Sequence, residues 1–299
     1  MAIGNVAKVD AVTKANIANI NGLTLPSAAA TEPYLAYSVR KLGAGLGITY
    51  SGPCMRVRRT SDNVEADVEF DGDVISLDST ISNTTATETT FGAFVGHGGT
   101  PTDAKVHVWY DQSSTGNNME WKAASFAYRI YSSSTGLDID NGQPTLNGAY
   151  QSLTALYSVS AFTISTDNNA GYYWVGDHKS SGNSAYAWGF VTSPEGFSPA
   201  LYLGGVANAS YTNPTGQFIA SMFTEGNTAS IYVDSSLAGS NTGTGTKGTA
   251  SQKAVIGARG GSIFSPHNGN IAEFLFYRNS AISERSIVEN NINGFFQLY

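Results

Sequence analysis

The chain is 299 residues long, enough for one large β domain or two ordinary ones with a full hydrophobic core. Charged residues make up 13%, about half the usual share, while hydrophobic residues reach 41% and aromatics 11%. That balance excludes a helical bundle, whose faces need Glu, Lys, Arg and Leu, and it excludes disorder. A formal charge of −7 provides no basic field to hold a phosphate backbone, so no nucleic-acid partner is expected.

Cys54 is the only cysteine, which rules out an intrachain disulfide and a metal site built from several thiolates. No run approaches the roughly 18 apolar residues of a membrane-spanning helix, so no membrane insertion is expected. The first residues lack the basic and apolar regions of a signal peptide. The expected setting is a reducing compartment, with release by lysis rather than secretion.

In chain order, residues 1–33 read as an arm and linker. Ile3, Val6, Val9 and Val12 recur at every third position, and Ile17, Ile20 and Leu23 resume the spacing after a slip at Ala15. That period fits neither a strand (about 2.0) nor a helix (about 3.6). It suits an extended arm that lays one edge on a partner, or a narrow intertwined oligomer; the alternative is a loosely ordered tail. Pro26 and Ser27-Ala28-Ala29-Ala30 complete the linker.

From Tyr34 to Tyr299 the pattern is all-β. Met55-Arg56-Val57-Arg58-Arg59, Val106-His107-Val108-Trp109-Tyr110 and Ser230-Ile231-Tyr232-Val233 alternate apolar and polar residues. Gly/Ser/Thr/Asn-rich loops separate them, such as Gly239 to Gly248, and the spacing fits a sandwich or a barrel. A short helix is expected at Tyr37 to Leu42. A second is expected near the end, where Ser283 would cap Glu284-Arg285-Ser286-Ile287-Val288-Glu289.

The last seventy or so residues carry a distinctive order of elements: Ala229 to Asp234, then Ala254-Val255-Ile256-Gly257, then Gly269 to Tyr277, then Ile282-Ser283-Glu284-Arg285. This resembles the C-terminal part of a laminin-G or concanavalin A-like lectin/glucanase jelly roll. Ala36-Tyr37-Ser38-Val39-Arg40, Tyr50-Ser51-Gly52-Pro53, Arg56 to Arg59 with Ser61-Asp62, and Trp109-Tyr110-Asp111-Gln112-Ser113 with Gly116-Asn117-Asn118 are similar to the arabinofuranosidase B catalytic domain. Similar domains occur in tailed-bacteriophage virion proteins, and the Asn-Gly-containing arm looks like those chains as well. The resemblance implies a concanavalin A-like jelly-roll β-sandwich preceded by an extended N-terminal arm.

Much of what these motifs hold is structural. Gly52-Pro53 sets a turn. Arg56, Arg58 and Arg59 oppose Asp62, Glu65, Asp67, Glu69 and Asp71 as an ion-pair ladder on a sheet face. Asp111 and Gln112 are expected to tie down a loop by bonding backbone groups, with a sugar-binding role as the alternative.

A retaining glycosidase needs two carboxyl groups about 5 Å apart. The resemblance places the nucleophile on a strand after Trp188-Gly189, but no Asp or Glu occurs from Phe197 to Gln217. It places the acid after a Gly-Gly pair, but Gly260-Gly261 is followed by Ser262-Ile263-Phe264. The expectation is therefore a domain without catalytic residues. His97, His107, His178 and His267 show no metal-ligand spacing, neither Gly96-His97-Gly98-Gly99 nor Gly257 to Gly261 is a phosphate loop, and no metal or cofactor is expected. Cys54 reads as a buried small hydrophobe.

Sugar binding rests on aromatic faces and planar polar groups near loops. Tyr173, Asp177, His178 and Tyr186 are the candidate contacts, whereas Trp174 and Trp188 read as core. The resemblance, together with the arm, implies a phage virion protein, a capsid decoration or head fibre, assembled in the host cytoplasm. Ile3, Val6, Val9, Val12, Ile17, Ile20 and Leu23 would attach it to capsid or tail proteins or to further copies in a homo-oligomer. Cell-surface glycans are the possible ligands. A tail adhesin and an arabinofuranosidase-type glycoside hydrolase are the alternatives.

Overall fold

The computed structural model describes residues 19–20, 23–24, 30–96, 99–121, 127–148, 155–163, 169–178, 188–190, 196–197, 200–202, 208–210, 214–243, 251–257, 267–278 and 282–299. The strand Asn270–Tyr277 lies at the centre of the body. It pairs on one edge with Leu35–Ser38 and on the other with Ala170–Gly176, which continues through Phe218–Glu225 and Thr228–Val233 to Ser236–Thr242. Every residue of Leu35–Ser38, Ala170–Gly176 and Asn270–Tyr277 is buried. Strands covered on both faces read as continuous apolar runs without alternation. One cover is the C-terminal helix Arg285–Phe296, which sets Val288, Ile292 and Phe296 into the core and packs on Phe218–Glu225.

A second sheet runs from Ile81–Ser82 through Glu65–Val68 and Met55–Arg59 to Ala104–Trp109. From there Met119–Trp121, Leu156–Ser158, Ala254–Ile256 and Trp188–Phe190 extend it. Met55 and Val57 are fully buried while Arg56 and Arg58 face outward, as their alternation predicts. Leu146–Asn147 pairs with both Arg129 and the start of Asn270–Tyr277, joining the two layers. Every pairing among the described strands of this body is antiparallel. The architecture is an all-β sandwich.

Four local expectations change. Tyr37 is not helical: Leu35–Ser38 is an inner strand in register with Phe276 to Glu273. Ser283 does not cap the last helix, because Ile282–Glu284 forms a 3-10 turn and Glu284 takes the cap position. Gly239 to Thr242 belong to the strand Ser236–Thr242 rather than a loop. In the arm, Asn19–Ile20 pairs with Leu23–Thr24, so the chain doubles back there instead of staying extended. Ile3, Val6, Val9, Val12 and Ile17 lie outside the described residues.

The predicted ties form. Asp111 Oδ1 accepts from the Ala36 and Ser113 N–H groups, and Oδ2 from Thr115 Oγ1 and the Asn117 N–H. Gln112 accepts from the Leu42 N–H and donates to the carbonyls of Ser38 and Arg40. Arg56 pairs with Glu65 and Asp67, and Arg59 with Asp62 and Glu88.

The central strand also carries a charge. Glu273, fully buried, receives Arg40 Nε at 2.7 Å, Arg40 Nη2 at 3.0 Å and Ser38 Oγ at 2.7 Å. Removing one partner of such a pair strands the other in a dry interior. Glu273→Leu alone is expected to destabilise the protein by about 3–5 kcal/mol, and Arg40→Met/Glu273→Leu together by distinctly less, as read by denaturant unfolding. Equal losses in the single and double variants would show that the pair is solvated.

Candidate functional site

Ala170–Gly176 and Asn270–Tyr277 reach the same end of the sandwich, and the residues just beyond them build the site. Their register shifts between Val175 and Gly176. Past the shift, the Asp177 N–H donates to the Asn270 carbonyl at 3.0 Å, and Asp177 Oδ1 accepts from the Asn270 N–H. His267 Nε2 lies 2.8 Å from the Asp177 carbonyl, and the His267 N–H donates to the Gly257 carbonyl. Two glycines permit this crossing: a Cβ on Gly176 would strike the Asn270 carbonyl, and one on Gly269 the Asp177 carbonyl.

Four rings sit beside the crossing. His178 stacks on Trp174 at 5.0 Å and 27°, while Phe218 and His267 meet Trp174 edge-on at 5.1 and 5.7 Å. Burial among them pushes the His178 pKa down to about 4, so its imidazole is neutral at ordinary pH.

Carboxylates approach from a neighbouring hairpin. Ile139–Asp140 pairs with Gln143–Pro144 across Asn141-Gly142, both in the left-handed region. This turn presents Asp140, whose Oδ2 accepts from Asn270 Nδ2 at 3.2 Å. Asp138 is neutralised by Arg129 at 2.8 and 2.9 Å and accepts a hydrogen bond from Asn147 Nδ2. Asp177 and Asp140 therefore converge on one asparagine, the first buried and the second half-buried.

Of the residues selected from sequence, Asp177 and His178 come together here. Tyr173 does not: its ring is 1% exposed, packed edge-on against Phe223 and Tyr277, and is corrected to a core residue. Tyr186 lies outside the described residues. Trp174 is fully buried. Burial pushes the Cys54 thiol up, and its Sγ contacts the Ser38 carbonyl. Among the described residues no three metal-ligating side chains cluster. Asp140, Asn270 and His267 were missed; the Asn141-Gly142 turn marks a hairpin, but nothing local shows that it faces Asn270.

No protein-family model matches the chain, and no curated protein does. Solved structures do. A GH54 α-L-arabinofuranosidase soaked with a cyclic sulfate inhibitor is 14% identical with a TM-score of 0.51, covering 86% of this chain and 62% of that one. A point variant of a GH54 α-L-arabinofuranosidase soaked with 4-nitrophenyl α-L-arabinofuranoside gives 15%, 0.51 and the same coverage. A Trypanosoma rangeli sialidase aligns at 11% identity over 63% of this chain and 31% of its own, with a TM-score of 0.38. The chain thus spans about three fifths of the arabinofuranosidases it matches. The likeness establishes the fold, and these structural neighbours are carbohydrate-active proteins.

This corrects the expectation that the chain is not an enzyme. That expectation rested on two empty sequence positions, whereas the structures sharing the fold are glycoside hydrolases. The carboxylates brought together here come from other segments.

Because the folded His178 pKa lies below the unfolded value of about 6.5, the unfolded chain binds the extra proton between the two. Its contribution to stability is complete above pH 6.5 and is lost as pH falls towards 4. Denaturant midpoints measured across that window are expected to drop more steeply in the parent protein than in His178→Asn.

Proposed function

We propose that this chain is a glycan-directed β-sandwich that binds a sugar at the strand-end site and hydrolyses its glycosidic bond, with Asp177 and Asp140 as the carboxyl pair. The convergence of both carboxylates on Asn270, beside the His178 ring and within an arabinofuranosidase-like fold, carries this reading. One carboxyl group protonates the departing glycosidic oxygen, and the other acts on the anomeric carbon directly or through water. Asn270 fixes both, and the His178 ring, stacked on Trp174, packs beside them.

The test is hydrolysis of 4-nitrophenyl α-L-arabinofuranoside and a panel of other nitrophenyl glycosides, with glycan binding measured alongside. Asp177→Asn and Asp140→Asn are each expected to lower kcat/KM by about 10²–10⁴-fold while the folded state survives. Turnover of no glycoside, or turnover at the parent level in both variants, would remove the catalytic assignment; binding without turnover would leave a lectin.

A virion setting is a second reading, favoured by the arm. Its apolar row needs a partner surface, and the junction behind it is anchored: Thr31 donates through N–H and Oγ1 to Glu284, and Glu32 accepts from the Ser114 N–H. In this reading phage capsid or tail proteins, or further copies of the chain, hold the arm. Deleting residues 1–30 is then expected to abolish co-sedimentation with empty capsids or purified tails.

A further inference from the structure

A separate polar and aromatic group stands on the outward face of Met55–Arg59, Glu65–Val68, Ala104–Trp109 and Met119–Trp121. It shares no residue with the strand-end site. The pairing of Met55–Arg59 with Ala104–Trp109 slips where Arg56 opposes Val108 and Val57 opposes Val106, leaving His107 as the extra residue of a β-bulge. The bulge turns the imidazole onto Trp121, 4.6 Å away and 26° from parallel. His107 Nδ1 lies 2.7 Å from Glu65 Oε1. Arg58 lies over the same indole at 5.9 Å, and Arg58, His107 and Trp121 are all partly exposed.

The charges here are unequally satisfied. Arg56 is neutralised by Glu65 and Asp67, both at 2.9 Å, and Asp67 also accepts from Tyr110 Oη and Asn83 Nδ2. Arg59 is taken by Asp62 and Glu88. Arg58 is different: its Nε is enclosed yet has no hydrogen-bond partner, and among the described residues no carboxylate forms an ion pair with it. A guanidinium fork left open beside an aromatic wall is suited to a planar anion attached to a ring with a C–H face.

We propose that Arg58, Trp121 and His107 form a second glycan-contact surface, selective for a carboxylated sugar. The Arg58 fork takes the carboxylate, the stacked Trp121–His107 pair packs against the ring, and Glu65 lies against the imidazole. The chain's net charge of −7 opposes non-specific attraction of acidic glycans, so selectivity must come from a local contact.

The test uses the full chain and calorimetric titration at physiological ionic strength with two matched pairs: oligogalacturonate against its methyl ester, and sialyllactose against lactose. Each pair differs in the carboxylate, and the two pairs distinguish uronic from sialic acids. The acidic member of at least one pair is expected to bind about tenfold or more tighter than its neutral partner. Arg58→Gln should erase that preference without shifting thermal unfolding, since the outward side chain makes no ion pair. Trp121→Ala should weaken both members of the pair, and Trp121→Phe, which keeps an aromatic wall if the alanine variant fails to fold, should retain the acid preference. Absence of acid preference in the parent protein, or its persistence in Arg58→Gln, overturns the proposal.

Discussion

The structure depends on how one buried charge is accommodated. Glu273 occupies the middle of the innermost strand, directly opposite Ser38 and Val175. It is tolerable there only because Ser38, on the adjacent strand, and Arg40, two residues past its end, reach it. A slip of one residue between those strands would move the carboxylate away from its partners, so the pair fixes register where the apolar run itself does not alternate. Phe295 and Phe296 lie 5.4 and 5.8 Å from the same guanidinium, so the seat of the last helix is set by the same contact.

The candidate site is a product of that order. With Asn270–Tyr277 in register, its first residue stands where Ala170–Gly176 ends, and the two glycines let the backbones cross closely enough for Asp177 to grip Asn270. The site's polar atoms are therefore mounted at the ends of strands buried along their whole length, which suits a group whose geometry must hold against a ligand. The Trp121 face is organised differently. There an irregularity in pairing, not the end of a strand, brings the side chains together.

Much of the sandwich was legible in the sequence, for identifiable reasons. Met55–Arg59 and Thr228–Val233 have one dry face and alternate accordingly. Asp111 and Gln112 follow two aromatics into a loop, where they bind mainly backbone groups. Tyr37 misled because its strand is covered on both faces and lacks a period-2 signature. Ser236–Thr242 misled in the opposite way: a mostly exposed strand of small polar residues looks like a loop until its partner is known. The site was half legible. Asp177 and His178 follow a conspicuous aromatic strand, but Asp140 and His267 are distant in sequence and meet them only through pairings no local pattern records. The expectation of no enzyme rested on positions along the chain suggested by resemblance, whereas Asp177 and Asp140, from other segments, meet only through Asn270.

The position of Asn270–Tyr277 also constrains how the protein comes into being. The strand that the core is built around is made after both of its neighbours, which begin at residues 35 and 170. Leu35–Ser38 must wait through more than two hundred residues of synthesis for its partner, while Ala170–Gly176 and Phe218–Glu225 emerge with one long edge and an apolar face open. Such a topology folds late and slowly, because distant ends have to meet before their contacts can offset the entropy of closing the loop. A ribosome halted between residues 242 and 270 would release two unsealed half-sheets, which makes the nascent chain a substrate for chaperones that shield apolar strands.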